Sequence, residues 1–138
     1  MFEFVTDHNP TKKDIDIIEE KLSEYNRKHT GFTQPKKHAI YVKKDGEIAG
    51  GIVFVCMDPW AYIKLLWVSE HLRGKGYGAK LLAAAEDEAR AAGSTKMMLD
   101  TFSFQAPMFY LKQSYRVISH IDGYPGEGMS RTWLTKAL

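Results

Sequence analysis

Three glycines stand within five positions in the run Arg73, Gly74, Lys75, Gly76, Tyr77, Gly78, Ala79, immediately before an alanine-rich segment with helical patterning. Glycine has no Cβ to hold a ligand off the backbone, and the first N–H groups of a helix are unpaired and carry the positive end of its dipole. Arg73 and Lys75 add formal positive charge. Together these features predict an anion site, most simply one for a phosphate-bearing ligand, against the plainer alternative of a turn that holds nothing.

The same run satisfies the dinucleotide fingerprint through Gly74, Gly76 and Ala79, and Asp100, 22 residues beyond Gly78, could serve as its ribose-binding acid. That fold sets its glycines directly after its first strand. Here Ser69 to Arg73 intervene, an antiparallel pattern precedes the loop, and only 60 residues follow Gly78. A nucleoside-triphosphate loop fits less well, because no Gly-Lys-Ser or Gly-Lys-Thr occurs.

Other reactive side chains give weaker signals. His8, His29, His38, His71 and His120 show no metal-ligand spacing, so no metal is expected. Cys56 alternates with apolar neighbours and reads as buried packing rather than as a nucleophile.

The elements that must position the loop follow from periodicity. Phe2 to Thr6 reads as a short strand, and Ile15, Ile18, Leu22 and Tyr25 mark one face of a helix that starts at Asn9–Pro10 or at a Thr11/Asp14 capping box. Two β-rich runs joined through Asp45-Gly46 form a hairpin, since that dipeptide supplies positive φ. Trp60 to Val68 is a third strand, apolar almost throughout and so expected to be covered on both faces, with Trp60, Tyr62 and Trp67 in the core. A helix over Ala79 to Ala92 ends at Gly93, Thr95 to Phe102 is the next strand, and Pro107 opens a short helix. Tyr115 to Ile121 and Met129 to Thr135 are terminal strands. The order predicts an α/β (α+β) fold with a mixed, mostly antiparallel sheet, in one domain spanning residues 1–138.

Composition excludes several classes. A chain of 138 residues with 44% hydrophobic and 26% charged residues is an ordinary globular domain, and a net charge of +2 argues for neither nucleic acid nor an anionic membrane as partner. One cysteine leaves no internal disulfide, the acidic N-terminus does not read as a signal peptide, and no apolar run reaches the ~18 residues of a membrane span. A cytoplasmic location is the expectation.

With that frame, the stretch VSEHLRGKGYGAKLL resembles the acyl-coenzyme A signature of the GNAT N-acetyltransferases, an arginine or glutamine, two residues, glycine, one residue, then glycine or alanine, met here by Arg73, Gly76 and Gly78. Downstream, LDTFSFQAPMFYLKQSY is similar to the family's later motif through Ala106, Phe109, Tyr110 and Lys112. The order of elements agrees as well, so the resemblance covers nearly the whole chain. It implies a GNAT fold with helices on both faces of the sheet and the central strands splayed to take acyl-coenzyme A. It also implies acetyl transfer from acetyl-coenzyme A to a primary amine, of a small molecule or a peptide, by direct attack. A coenzyme A-binding module without transfer activity is the alternative.

The resemblance also distributes roles. The pyrophosphate would rest on the backbone N–H groups of Arg73, Gly74, Lys75, Gly76, Tyr77, Gly78 and Ala79, and the pantetheine arm would run along the backbone of Leu66, Trp67 and Val68. The Val68 N–H would polarise the thioester carbonyl, and Tyr110 would be the general acid for the departing thiolate. Gln105, Phe109 and Lys112 would line the cofactor channel. Two departures stand out: Ser114 where the family often has glycine, and a third strand with no carboxylate to act as base, which leaves Glu47, Glu70, His71 and Asp100 unranked or the amine arriving free. The acceptor side is expected from the first helix, the loop TGFTQPK and the later loops, with Trp60 a candidate wall. The aromatic-rich C-terminal hairpin offers a surface for a homodimer.

Overall fold

The computed structural model describes residues 1–32 and 34–138, so Thr33, within the loop read above as acceptor-side, lies outside the described residues. The chain divides into two units, Met1–Gln34 and Pro35–Leu138.

The first unit is built on helix α1, Lys12–Thr30. Of the two starts the sequence offered, the capping box is used: Thr11 Oγ accepts from the Asp14 N–H at 3.2 Å and donates to the Asp14 carboxylate at 2.8 Å. Gly31, at φ 71°, closes the helix with its N–H on the Arg27 carbonyl at 2.8 Å. The strand expected over Phe2 to Thr6 does not form. An alternating pattern becomes a strand only as a member of a ladder, and these residues enter none of the described ones.

The second unit carries six strands: β1 Lys36–Lys44, β2 Glu47–Met57, β3 Trp60–Val68, β4 Lys96–Phe102, β5 Arg116–Asp122 and β6 Ser130–Ala137. They form one sheet in the order β1-β2-β3-β4-β6-β5, antiparallel throughout except for β3 beside β4. The β1–β2 hairpin turns through Asp45 and Gly46 at φ 50° and 82°, the two positive values its tight turn requires. Helix α2 spans Tyr77–Ala91 and lays Leu81, Leu82, Ala85 and Ala89 against Ile52, Phe54, Ile63, Met97 and Leu99. It begins two residues earlier than its apolar pattern suggests, because Gly76, at φ 87°, already serves as its N-cap. Gly93 follows its end at φ 96°, the left-handed position read for it.

β3 differs from its sequence reading. Leu65 and Trp67 are 64% and 53% exposed and Trp60 is 36% exposed, so the strand is not covered on both faces. A bulge also sets which residues face the core: Val53 pairs with Leu65 but Phe54 pairs with Ile63, which leaves Lys64 as an extra residue. The core-facing set therefore changes parity, from Ala61 and Ile63 before the bulge to Leu66 and Val68 after it. Tyr62, Leu65 and Trp67 are turned to the opposite face.

Candidate active site

The parallel β3–β4 pair is the weak seam of the sheet. Only Trp60 to Tyr62 pair with Lys96 to Met98; beyond them the strands part, although β3 continues to Val68 and β4 to Phe102. The gap is a cleft of about 670 Å³ lined by residues 63–68 of β3, residues 99–101 of β4, Arg73, Gly78, residues 104–106, Phe109 and Tyr110.

A split sheet exposes backbone groups that a closed one would pair. Ser69 N–H donates to the Ala49 carbonyl at 2.8 Å, so in the antiparallel β2–β3 ladder the preceding residue, Val68, turns its N–H and C=O the other way, toward the cleft. Leu66, two residues on, has the same orientation, while Trp67 is spent on β2. The Val68 carbonyl is taken by Arg73, whose Nε donates to it at 3.0 Å. On the β4 side, the Gln105 side-chain carbonyl accepts from the Phe102 N–H at 2.8 Å and from the Thr101 hydroxyl at 3.2 Å. Arg73 and Gln105 thus satisfy one edge group on each parted strand, and the N–H groups of Leu66 and Val68 face the cleft.

The glycine loop stands beside this edge. Gly74 and Gly76 sit at φ 72° and 87°, and the α2 N-cap carries no side-chain hydrogen bond. Lys80 makes the first bond of the helix, to the Gly76 carbonyl at 3.1 Å, which leaves the N–H groups of Tyr77, Gly78 and Ala79 without helical partners. A Cβ on Gly78 would stand 3.5 Å from the Phe109 ring, so the helix start lies close to Phe109 at the cleft.

Helix α3, Pro107–Lys112, holds Tyr110 at the cleft wall. Its ring sits edge-on between Phe109 and Tyr115, with centroids 5.0 and 5.9 Å away. Tyr115 in turn donates its hydroxyl to buried Glu86 of α2 at 3.2 Å, and Glu86 is paired with Lys136 of β6 at 2.9 Å. The helix closes with the Tyr115 N–H on the Tyr110 carbonyl and the Ser114 N–H on that of Leu111, and Ser114 takes φ 72°. Serine here adopts the left-handed turn for which glycine is the usual residue. Burial, with the Asp100 charge second, pushes the Tyr110 hydroxyl up to about 12, so the phenol keeps its proton throughout the neutral range.

Of the residues assigned from sequence, Leu66, Trp67, Val68, Arg73, Gly78, Gln105, Phe109 and Tyr110 line the cleft together. Gly74, Lys75, Gly76, Tyr77 and Ala79 form the loop and helix start next to it. Lys112 is exposed on α3 and is not among the lining residues. Among the base candidates only Asp100 reaches the cleft; Glu47 and His71 line a separate hollow of about 220 Å³, and Glu70 is exposed. The sequence reading did not find Asp100's partners, Tyr62 and Arg131, because they come from strands brought together only by the fold.

A profile of the Acetyltransferase (GNAT) family matches residues 3–115. The Blasticidin-S acetyltransferase of Streptomyces morookaense is 40% identical over 94 residues, 67% of this chain and 68% of that one. Among solved structures, an acetyltransferase from Bacillus cereus superposes with a TM-score of 0.82 at 32% identity over 97% of this chain and 98% of its own. A chain from Agrobacterium tumefaciens reaches 0.91 at 30% identity, covering 99% and 100%.

Proposed function

This chain belongs to the GNAT acetyltransferase family, and from that footing we propose that it moves an acetyl group from acetyl-coenzyme A to the primary amine of a small molecule, the amine attacking directly. The observation that carries the reading is the parted seam: two unspent backbone N–H groups, of Leu66 and Val68, share one cleft with the Tyr110 hydroxyl and the start of α2. Acetyl-coenzyme A has a diphosphate, an amide-bearing arm and a thioester. The free N–H groups at Tyr77, Gly78 and Ala79 suit the first, the open β3 edge suits the second as an added strand would, and the Val68 N–H with Tyr110 suits the third.

In this scheme the chain works by preorganised hydrogen bonding. The Val68 N–H is held in place by Arg73 on the carbonyl of the same residue, and it would stabilise the charge that builds on the thioester oxygen as the amine attacks. Tyr110 would donate to the sulfur as negative charge collects there. With its phenol at about 12 it is a few thousandfold weaker an acid than an ordinary thiol at ~8.5, so its contribution is a strong hydrogen bond in the transition state more than early proton release.

Calorimetry with acetyl-coenzyme A, followed by a thiol-release assay over primary amines, tests the proposal. Blasticidin S is the first acceptor to try, because the relative that is 40% identical is a Blasticidin-S acetyltransferase. Saturable cofactor binding with amine-dependent thiol release is the expected result; no binding at millimolar acetyl-coenzyme A would overturn it.

A further inference from the structure

Where β3 and β4 part, two side chains from neighbouring strands converge on one carboxylate of β4. Asp100 of β4 lines the cleft, and its side chain is 14% exposed. Oδ2 accepts from the Tyr62 hydroxyl of β3, and Oδ1 accepts from Arg131 Nε of β6 at 2.9 Å. Arg131 is itself held over the rings of Phe102, Tyr124 and Trp133, at 5.5, 5.3 and 4.8 Å from their centroids. The carboxylate is thus fixed from two sides by groups that are themselves fixed.

Burial by itself would raise the Asp100 carboxyl, but the hydrogen bonds from Arg131 and Tyr62 together outweigh it and hold the group below the ordinary carboxylate value. It is ionised throughout the neutral range and is a poor proton acceptor. A carboxylate offers about four lone-pair sites, and two are taken here. Among the described residues Asp100 is the one acid lining the cleft; the other charged lining groups are Lys64, whose ammonium lies 5.8 Å from the Tyr62 ring, and Arg73, engaged on Val68.

Its direction matters as much as its charge. Leu99 belongs to the core cluster on which α2 packs, and Thr101, on the other side of Asp100, is buried as well, so the alternation of a strand turns Asp100 to the opposite face of the sheet. Tyr110 belongs to the α2-side core. The cleft therefore runs between a phenol on one face and a carboxylate on the other, which separates the side from which a thiolate would leave from the side at which an amine would enter.

We propose that Asp100, clamped by Tyr62 and Arg131, is the residue that docks the acceptor as a primary ammonium ion, with 62%-exposed Phe104 as an apolar wall at the cleft. The inference rests on the acetyl-transfer reading above. Asp100 binds and aims the nitrogen; being a weak base, it leaves the proton to pass to water.

The test uses the full chain saturated with coenzyme A, titrated by NMR at neutral pH with benzylamine and with its uncharged analogue benzyl alcohol. Benzylamine should bind the wild type about tenfold more tightly than the alcohol, and Asp100→Asn should abolish that preference while leaving coenzyme A and benzyl alcohol affinities unchanged. Equal binding of the two probes by the wild type, a preference that survives Asp100→Asn, or no saturable benzylamine binding overturns the proposal. Failure of the wild type to bind coenzyme A would instead count against the acetyl-transfer reading. Should Asp100→Asn not fold, Arg131→Met decides: loss of the counter-charge should tighten benzylamine binding several-fold, whereas a purely structural clamp predicts weaker binding or none.

Discussion

Replacing Val68 by proline removes one atom group from the proposed chemistry, its N–H. The substitution would be ruinous at most strand positions, where that N–H belongs to a ladder. At Val68 it does not, because the Ser69–Ala49 bond places the β2-facing hydrogen bonds one residue away and turns the Val68 N–H into the cleft. The carbonyl that accepts from Arg73 is kept, and Trp67 is already extended, as the residue before a proline must be. The fold should lose ~1 kcal/mol as φ moves toward about −65° at the last residue of the strand. Catalysis should lose far more, since removing one donor to a developing oxyanion costs about 10²–10³ in kcat, or ~2.7–4 kcal/mol. Thiol-release kinetics, coenzyme A calorimetry and a near-ultraviolet circular dichroism spectrum separate the two effects. Val68→Ala is the control: it shortens the side chain, keeps the N–H, and should hold kcat within a few-fold. A proline variant with intact cofactor affinity and kcat within about threefold of wild type would refute the oxyanion role, and an alanine variant as slow as the proline one would move the explanation to packing.

Tyr110→Phe should leave coenzyme A affinity in place and lower kcat by about 10²-fold, and an unchanged kcat would make Tyr110 packing only. Lys136→Met strands the buried Glu86 carboxylate against the Tyr115 ring and should cost about 3 kcal/mol in denaturant unfolding, most of it recovered in the double variant with Glu86→Leu. Ser114→Gly relieves a side chain held at φ 72° and should raise stability by ~1 kcal/mol, with no gain expected if serine is unstrained there. Alkaline pH should destabilise the fold. Tyr62 and Tyr110 are pushed up to about 12 and Tyr115 higher still, burial leading in each, whereas an unfolded tyrosine ionises near 10. Above pH 10 the unfolded chain therefore holds fewer protons than the native one, so stability that is complete below pH 10 falls as pH rises through 12, by ~2 kcal/mol on Tyr110's account alone. Equal urea midpoints at pH 8 and 11.5 would contradict this.

What was legible in the sequence was local. The Asp45-Gly46 turn, the glycine loop and the Gly93 stop depend on a few consecutive residues and their backbone preferences, and all three are found, while the start of α1 falls at one of the two caps that the sequence leaves open. The failures share another origin. The bulge at Lys64 reverses which side of β3 faces the core, and no alternation count over an almost wholly apolar strand reveals a parity change. Tyr62 and Arg131 are 38 and 31 residues from Asp100, and only the β3–β4–β6 neighbourhood joins them.

Arg73 and Gln105 illustrate a subtler gap. Motif reading gives both to the cofactor, yet in the structure each holds an edge group of a parted strand, Arg73 the Val68 carbonyl and Gln105 the Phe102 N–H. A parallel pair that stops after three residues leaves polar groups that would otherwise favour closing the seam or admitting water. By satisfying one group on each side, these two residues lower the cost of keeping the strands apart while leaving the Leu66 and Val68 N–H groups uncommitted. The motif therefore encodes an open strand edge beside the phosphate cradle proposed for it, and that edge depends on side chains whose partners are backbone atoms that a sequence does not display.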